Sequence, residues 1–171
     1  ARALRELKAQ GQCQLPQPIM AGGRKWNPTR LDRRVPAPLG VPRVAGEVRG
    51  LCLVEVEDQD HLRIWNELML REHPLQECRL VGRQLRYLVG SEHGWLGGIG
   101  FGSAALFLGD RDEWIGWTVS QRMEHLPRVL NMNRFLIRPR VRCENLASQV
   151  LGLCARRVAG ELYRPRGGGK S

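Results

Sequence analysis

Apolar and polar residues change period several times along the chain. Leu51 to Val56 alternates and is rich in β-branched residues, which predicts a strand. Asp58 or Asp60 then stands where a helix cap is expected, and Leu62, Trp65, Leu68 and Met69 recur at the spacing of one helical face. His73-Pro74 stops that helix. Gln84 to Gly90 and Gly94 to Phe101 are apolar runs joined by Ser91-Glu92-His93, the pattern of a hairpin. A short helix is expected at Ser103 to Leu108 and a strand at Glu113 to Thr118. A helix bent or delayed by Pro127 follows at Ser120 to Leu130, then a strand at Arg134 to Ile137 that Pro139 stops. Glu144 to Leu162 is the longest helical pattern, with Leu146, Val150, Leu153, Cys154, Arg157 and Val158 on one stripe. Mixed strand and helix periods of this kind predict an α/β fold, an α+β sandwich.

The flanks read differently. Six of the ten prolines fall before residue 50, among Arg24, Arg30, Arg33, Arg34, Arg43 and Arg49. Residues 1–50 are therefore expected to be a Pro/Arg-rich N-terminal arm, either phosphate-contacting or a linker wrapped on the domain, with a short helix at Ala1 to Gln10. Residues 51–163 form the domain. Arg164 to Ser171 is a basic, Gly-rich tail expected to be mobile. Hydrophobic content of 42% against 26% charged excludes global disorder. No run approaches the roughly 18 apolar residues of a membrane span, and no secretory signal opens the chain, so a cytoplasmic protein with no membrane partner is expected.

Charge narrows the partner. Lys plus Arg number 27 against 17 Asp plus Glu, a net +10. Most of the bases are arginine, whose planar fork matches phosphate oxygens, so nucleic acid is the favoured partner; a basic surface kept for solubility is the alternative. The five cysteines are widely spaced without a C-x-x-C, and no histidine lies at ligand spacing. They read as reduced, mostly buried thiols rather than a zinc site or a disulfide framework.

Several motifs compete. Gly97, Gly98, Gly100 and Gly102 interrupt one strand, but Ser103 stands where a G-x-G-x-x-G would need its third glycine. A bulge or a close approach is the simpler reading. Gly169-Lys170-Ser171 lacks the upstream glycine of a P-loop and has no helix after it. Arg111-Asp112-Glu113-Trp114-Ile115-Gly116-Trp117 reads as a turn followed by core tryptophans, or as a base-stacking platform. Four scattered histidines form no triad or metal cluster by spacing; His73, in the loop after a helix, is the best candidate among them.

The segment from Arg134 to Ser148 carries the strongest site signal. A strand feeds Pro139, then Arg138, Arg140 and Arg142 surround the start of a long helix at Asn145, Ala147 and Ser148. Free N–H groups and the helix dipole make such a turn an anion site. It resembles the central R/Q-x-x-G-x-G/A motif of GNAT acyltransferases, with Arg142 and Ala147 matching and Asn145 in place of the first glycine. That resemblance implies a GNAT-like mixed sheet with flanking helices and acetyl-CoA as a cofactor. Otherwise no cofactor is expected, and Asn145 is a helix cap.

His73-Pro74-Leu75, Gln84 to Val89, Gly97 to Ala105, Arg111-Asp112 with Trp114 to Trp117, Arg134 to Ile137 with Pro139, and Asn145 to Ser148 form a joint pattern. Together these stretches resemble the DruA family of Druantia anti-phage systems, which is also found attached to transposases. They span about residues 50–158 and set Arg86, Arg111 and Asp112 beside His73 as candidate functional residues. The family usually has His-Tyr-Leu-Gly where this chain has His73-Pro74-Leu75-Gln76, and it continues with Asp-Trp and Glu-Thr-Phe-Val-Asp segments not seen here. The resemblance thus implies the N-terminal part of a member. It implies a DNA-associated accessory protein of a bacterial defence or transposition system, partnered by other proteins of that system. A GNAT-type acyltransferase, whole or degenerate, and a docking module of a defence complex stay open beside it.

Overall fold

The computed structural model describes residues 27–163. The expected helix at Ala1 to Gln10, Arg24, Cys13 and the tail Arg164 to Ser171 lie outside the described residues. In chain order the elements are β1 (Cys52–Glu55), α1 (Gln59–Arg71), β2 (Leu85–Gly90), β3 (Gly97–Ser103), α2 (Gly109–Ile115), α3 (Val119–His125), β4 (Leu130–Ile137) and α4 (Leu146–Tyr163). Short 3-10 turns occur at Ala45–Glu47 and Leu126–Arg128.

The strands form a four-stranded sheet in the order β1-β2-β3-β4. Every pairing is antiparallel, so the sheet is not the mixed one that the GNAT resemblance implies. Side chains alternate across it. Tyr87, Val89, Ile99 and Phe101 point to the layer of α4, where they meet Leu146, Val150 and Cys154. Leu88 and Leu136 point to α1, where they meet Trp65, Leu68 and Met69. Asp58 caps α1 by accepting from the N–H groups of Asp60 and His61 at 2.9 and 2.8 Å.

The glycines of β3 follow from this packing. Trp65 donates Nε1–H to the Ile99 carbonyl at 3.1 Å, so its ring lies flat against the strand. A Cβ on Gly100 would stand 2.7 Å from Trp65 Cζ2, and one on Gly98 would stand 2.8 Å from Met69 Cε. The ladder to β4 also shifts register between Gly100 and Phe101. Both of the simple readings of the Gly-rich strand, a close approach and a bulge, are therefore realised.

From Thr29 onward the N-terminal segment is a strap bound along the domain, as in the linker reading. Asn66 Nδ2 donates to the Thr29 carbonyl at 2.9 Å, and Val35 is buried in the α1 layer. The strap crosses the β2–β3 turn, where Leu39 N–H bonds the His93 carbonyl at 3.0 Å. It then buries Ala45 and Val48 against the α4 layer. Val44 makes a parallel bridge to Glu144, just before α4.

The link between β3 and β4 departs from expectation. Ser103 ends β3, and residues 104–108 form no helix. Glu113 to Ile115 is the last turn of α2 rather than the start of a strand, because Asp110 and Asp112 favour a helix start and Gly116, at φ 74°, supplies the left-handed stop. Thr118 and Gln121 then form a capping box that begins α3. Pro127 falls in the 3-10 turn, and β4 starts four residues before the expected Arg134. Trp114 is 91% exposed, so it is not the core residue expected, whereas Trp117 is half-buried beside His125.

Candidate functional site

The strap, the end of α1 and the loop after β4 enclose an open cleft of about 440 Å³. Its walls carry Arg34 from the strap, Arg71 and Glu72 from α1, and Arg138 and Arg140 from the β4–α4 loop. One buried and one half-buried carboxylate organise it. Glu67, 1% exposed, accepts from Arg30 at 2.9 Å and from Arg71. Burial pushes its carboxyl up, and the hydrogen bonds and charges of the two arginines outweigh that and hold it below the ordinary 4.5. Glu72 takes Arg138 Nε and Nη2 at 2.9 and 2.7 Å.

Arg138 corrects an expectation. It is 5% exposed, and its remaining donors reach the carbonyls of Val35, Pro36 and Trp95. Five hydrogen bonds use the whole guanidinium, leaving nothing for a phosphate. Arg138 clamps the strap to the sheet. Arg34, Arg140 and Arg142 are instead exposed and have no carboxylate partner among the described residues. Arg34 and Arg71 enter the cleft through folding alone; no local motif marks them.

At the turn into α4, Asn145 is not the helix cap expected of it. Its φ is 61°, the left-handed region that glycine adopts freely and asparagine tolerates. The Asn145 side chain makes no capping bond among the described residues; its carbonyl accepts from Gln149 N–H at 3.0 Å. Ala147 and Ser148 are exposed, and their N–H groups have no acceptor among the described residues. Glu144 N–H is taken by the Arg43 carbonyl, and the Glu144 carboxylate lies near enough to help burial raise the Cys143 thiol. The turn therefore carries three backbone donors without an acceptor among the described residues, those of Asn145, Ala147 and Ser148, flanked by Arg142 and by one acid.

The other candidates lie apart from the cleft. His73 is buried at the end of α1, where Nδ1 accepts from Leu75 N–H at 3.2 Å. Burial, then the charge of Arg134, lowers its pKa below 6.5. Arg86 sits on β2 with its guanidinium 5.2 Å from the centre of the Trp65 ring. Arg111 and Arg122 both bond Asp112, at 2.7 and 3.1 Å, and so brace α2 against α3. Burial raises the Asp112 carboxyl, and these two arginines outweigh that and lower it. Leu106, Phe107, Trp114, Val119 and Met123 stay exposed on the same excursion. The four described cysteines are free; burial pushes the thiols of Cys78 and Cys154 up to about 11. No described helix is long and apolar enough to cross a membrane.

Residues 39–170 match the model of a family described as Druantia protein DruA. No curated protein and no solved structure matches the chain.

Proposed function

The chain belongs to the DruA family of Druantia proteins, associated with anti-phage defence, and from that footing we propose that it contacts nucleic acid through the arginines around the strap cleft. The observation that carries the reading is the division of labour among those arginines. Arg30, Arg71 and Arg138 are spent on Glu67 and Glu72, while Arg34, Arg140 and Arg142 face solvent with no carboxylate partner among the described residues. Exposed guanidinium groups on a chain of net +10 suit phosphate oxygens and carry no sequence preference of their own. Fluorescence anisotropy with single-stranded and duplex oligonucleotides over a salt series tests it. Wild type should bind at low salt, and the triple variant Arg34→Ala, Arg140→Ala, Arg142→Ala should flatten the logarithmic salt slope by roughly 2 to 3 on duplex. Absence of wild-type binding at low salt overturns the reading.

One observation favours a second reading, coenzyme A at the β4–α4 turn. Asn145 occupies the first-glycine position of the acyltransferase motif in the backbone conformation that glycine takes. Calorimetry with coenzyme A on wild type and Asn145→Gly decides it; no heat from either protein removes the acyltransferase. The exposed apolar side chains of α2 and α3 would give either protein a face for another defence-system protein.

A further inference from the structure

Arg86 is held against the core with neither a carboxylate nor a backbone carbonyl to receive it among the described residues; Arg122 also has a buried Nε without an acceptor, but it has Asp112 as its counter-charge. Arg138 has Glu72 and three carbonyls, Arg111 and Arg122 share Asp112, and Arg134 reaches the carbonyls of Glu77, Asn133 and Arg79. Arg86 points to the α1 side of β2, opposite Gly100 in register, and lies over Trp65. Its Nε is buried with no acceptor, and its Nη2 donates to the Gln84 side-chain carbonyl. Gln84 is itself held by donating Nε2–H to the Leu80 carbonyl at 2.8 Å.

The chemistry of that fork is specific. Nε–H and the Nη2–H beside it project in parallel from one edge of a guanidinium and together match two oxygens of one oxyanion. A neutral amide supplies a single acceptor, so Gln84 fills one prong and leaves the other empty. Burial also lowers the Arg86 pKa, the direction taken by a cation short of a counter-charge. The loop 77–84 above it adds Arg79 and Arg83 against the single acid Glu77, and Arg134 ties that loop to β4.

We propose that Arg86 is a binding residue for a phosphate group, which displaces the Gln84 amide and takes Nε–H and Nη2–H together. The phosphate comes from a nucleic-acid strand or from a free nucleotide. The site stands apart from the cleft arginines and does not depend on them.

Thermal melting in chloride buffer, with and without inorganic phosphate, adenosine monophosphate or a short oligonucleotide, tests it on wild type, Gln84→Glu and Arg86→Met. Gln84→Glu gives up the bond to the Leu80 carbonyl, whose oxygen repels it, and turns a carboxylate onto both prongs. It should raise the melting temperature in chloride and abolish the rise that phosphate gives to wild type. Arg86→Met removes a charge that lacks its counter-ion, and should also melt higher in chloride with no phosphate response. A phosphate response in Gln84→Glu equal to that of wild type overturns the proposal. So does a lower melting temperature for Arg86→Met in chloride, which would make the Arg86–Trp65 contact merely structural. Should Arg86→Met fail to fold, the Gln84→Glu comparison still decides. The triple cleft variant should keep the phosphate response, so failure of the cleft reading leaves this one standing. An oligonucleotide response that the triple cleft variant keeps and Arg86→Met loses assigns the strand as source, and the same pattern with adenosine monophosphate assigns the nucleotide.

Discussion

Arg138 and Glu72, 66 residues apart in sequence, meet through two contacts of 2.9 and 2.7 Å and so join the end of β4 to the end of α1. Because Arg138 also holds the carbonyls of Val35 and Pro36, this pair fixes the strap as well. Arg138→Ala leaves Glu72 and those carbonyls without their donor. It is expected to cost about 3 kcal/mol of folding stability, read by urea unfolding. Arg140→Ala and Arg142→Ala should each stay within about 0.5 kcal/mol. A neutral Arg138→Ala would contradict the clamp.

Gly100→Ala is expected to destabilise by roughly 1 to 3 kcal/mol, since the added methyl meets the Trp65 ring at 2.7 Å with no vacant space around it. Gly46→Ala, where nothing lies within 4 Å of the new methyl, is the control. Equal melting temperatures for the two variants would count against the packing described for β3.

Acidification should act through His73 first. Its pKa is lowered in the folded state, so the unfolded chain binds the proton more readily, and stability is present above 6.5 and lost as pH falls below it. Glu67 is lowered too, and its contribution is lost only below about its ordinary 4.5. Melting temperature against pH should therefore fall in two stages. His73→Gln should flatten the upper stage and leave the lower one; an unchanged upper stage would acquit His73.

Trp114 is exposed on α2 while Trp65 is fully buried. Trp114→Phe should lower the fraction of fluorescence that acrylamide quenches and leave folding stability within about 0.5 kcal/mol of wild type. Undiminished quenching would place Trp114 against other side chains.

Where burial and period coincide, the chain is legible without coordinates. The α1 cap at Asp58, the hairpin of β2 and β3, and Leu146, Val150, Cys154 and Val158 of the α4 stripe follow from local pattern, while Arg157 of that stripe is exposed and pairs with Glu55. The α2–α3 excursion misleads because Trp114, Ile115 and Trp117 carry strand propensity, whereas the helix is decided by its acidic first turn and by Gly116. Arg138 misleads for another reason. Its neighbours Arg140 and Arg142 are exposed, and only the distant Glu72 and Val35 distinguish it. Long-range partners leave no trace in local spacing. For the same reason the cleft residues Arg34 and Arg71 were not marked by a motif, while the open turn before α4 was.

The glycines of β3 bear on how the chain folds. A strand whose α1-side positions are Gly98, Gly100 and Gly102 offers no side chains there to choose among sliding alignments. The bond from Trp65 to the Ile99 carbonyl and the fit of its ring over Gly100 supply that choice from another element. Docking of α1 thus helps fix the alignment of β3, alongside Ile99 and Phe101 on its other face. Truncating Trp65 should slow refolding more than it speeds unfolding, the kinetic signature of a residue already in place at the barrier.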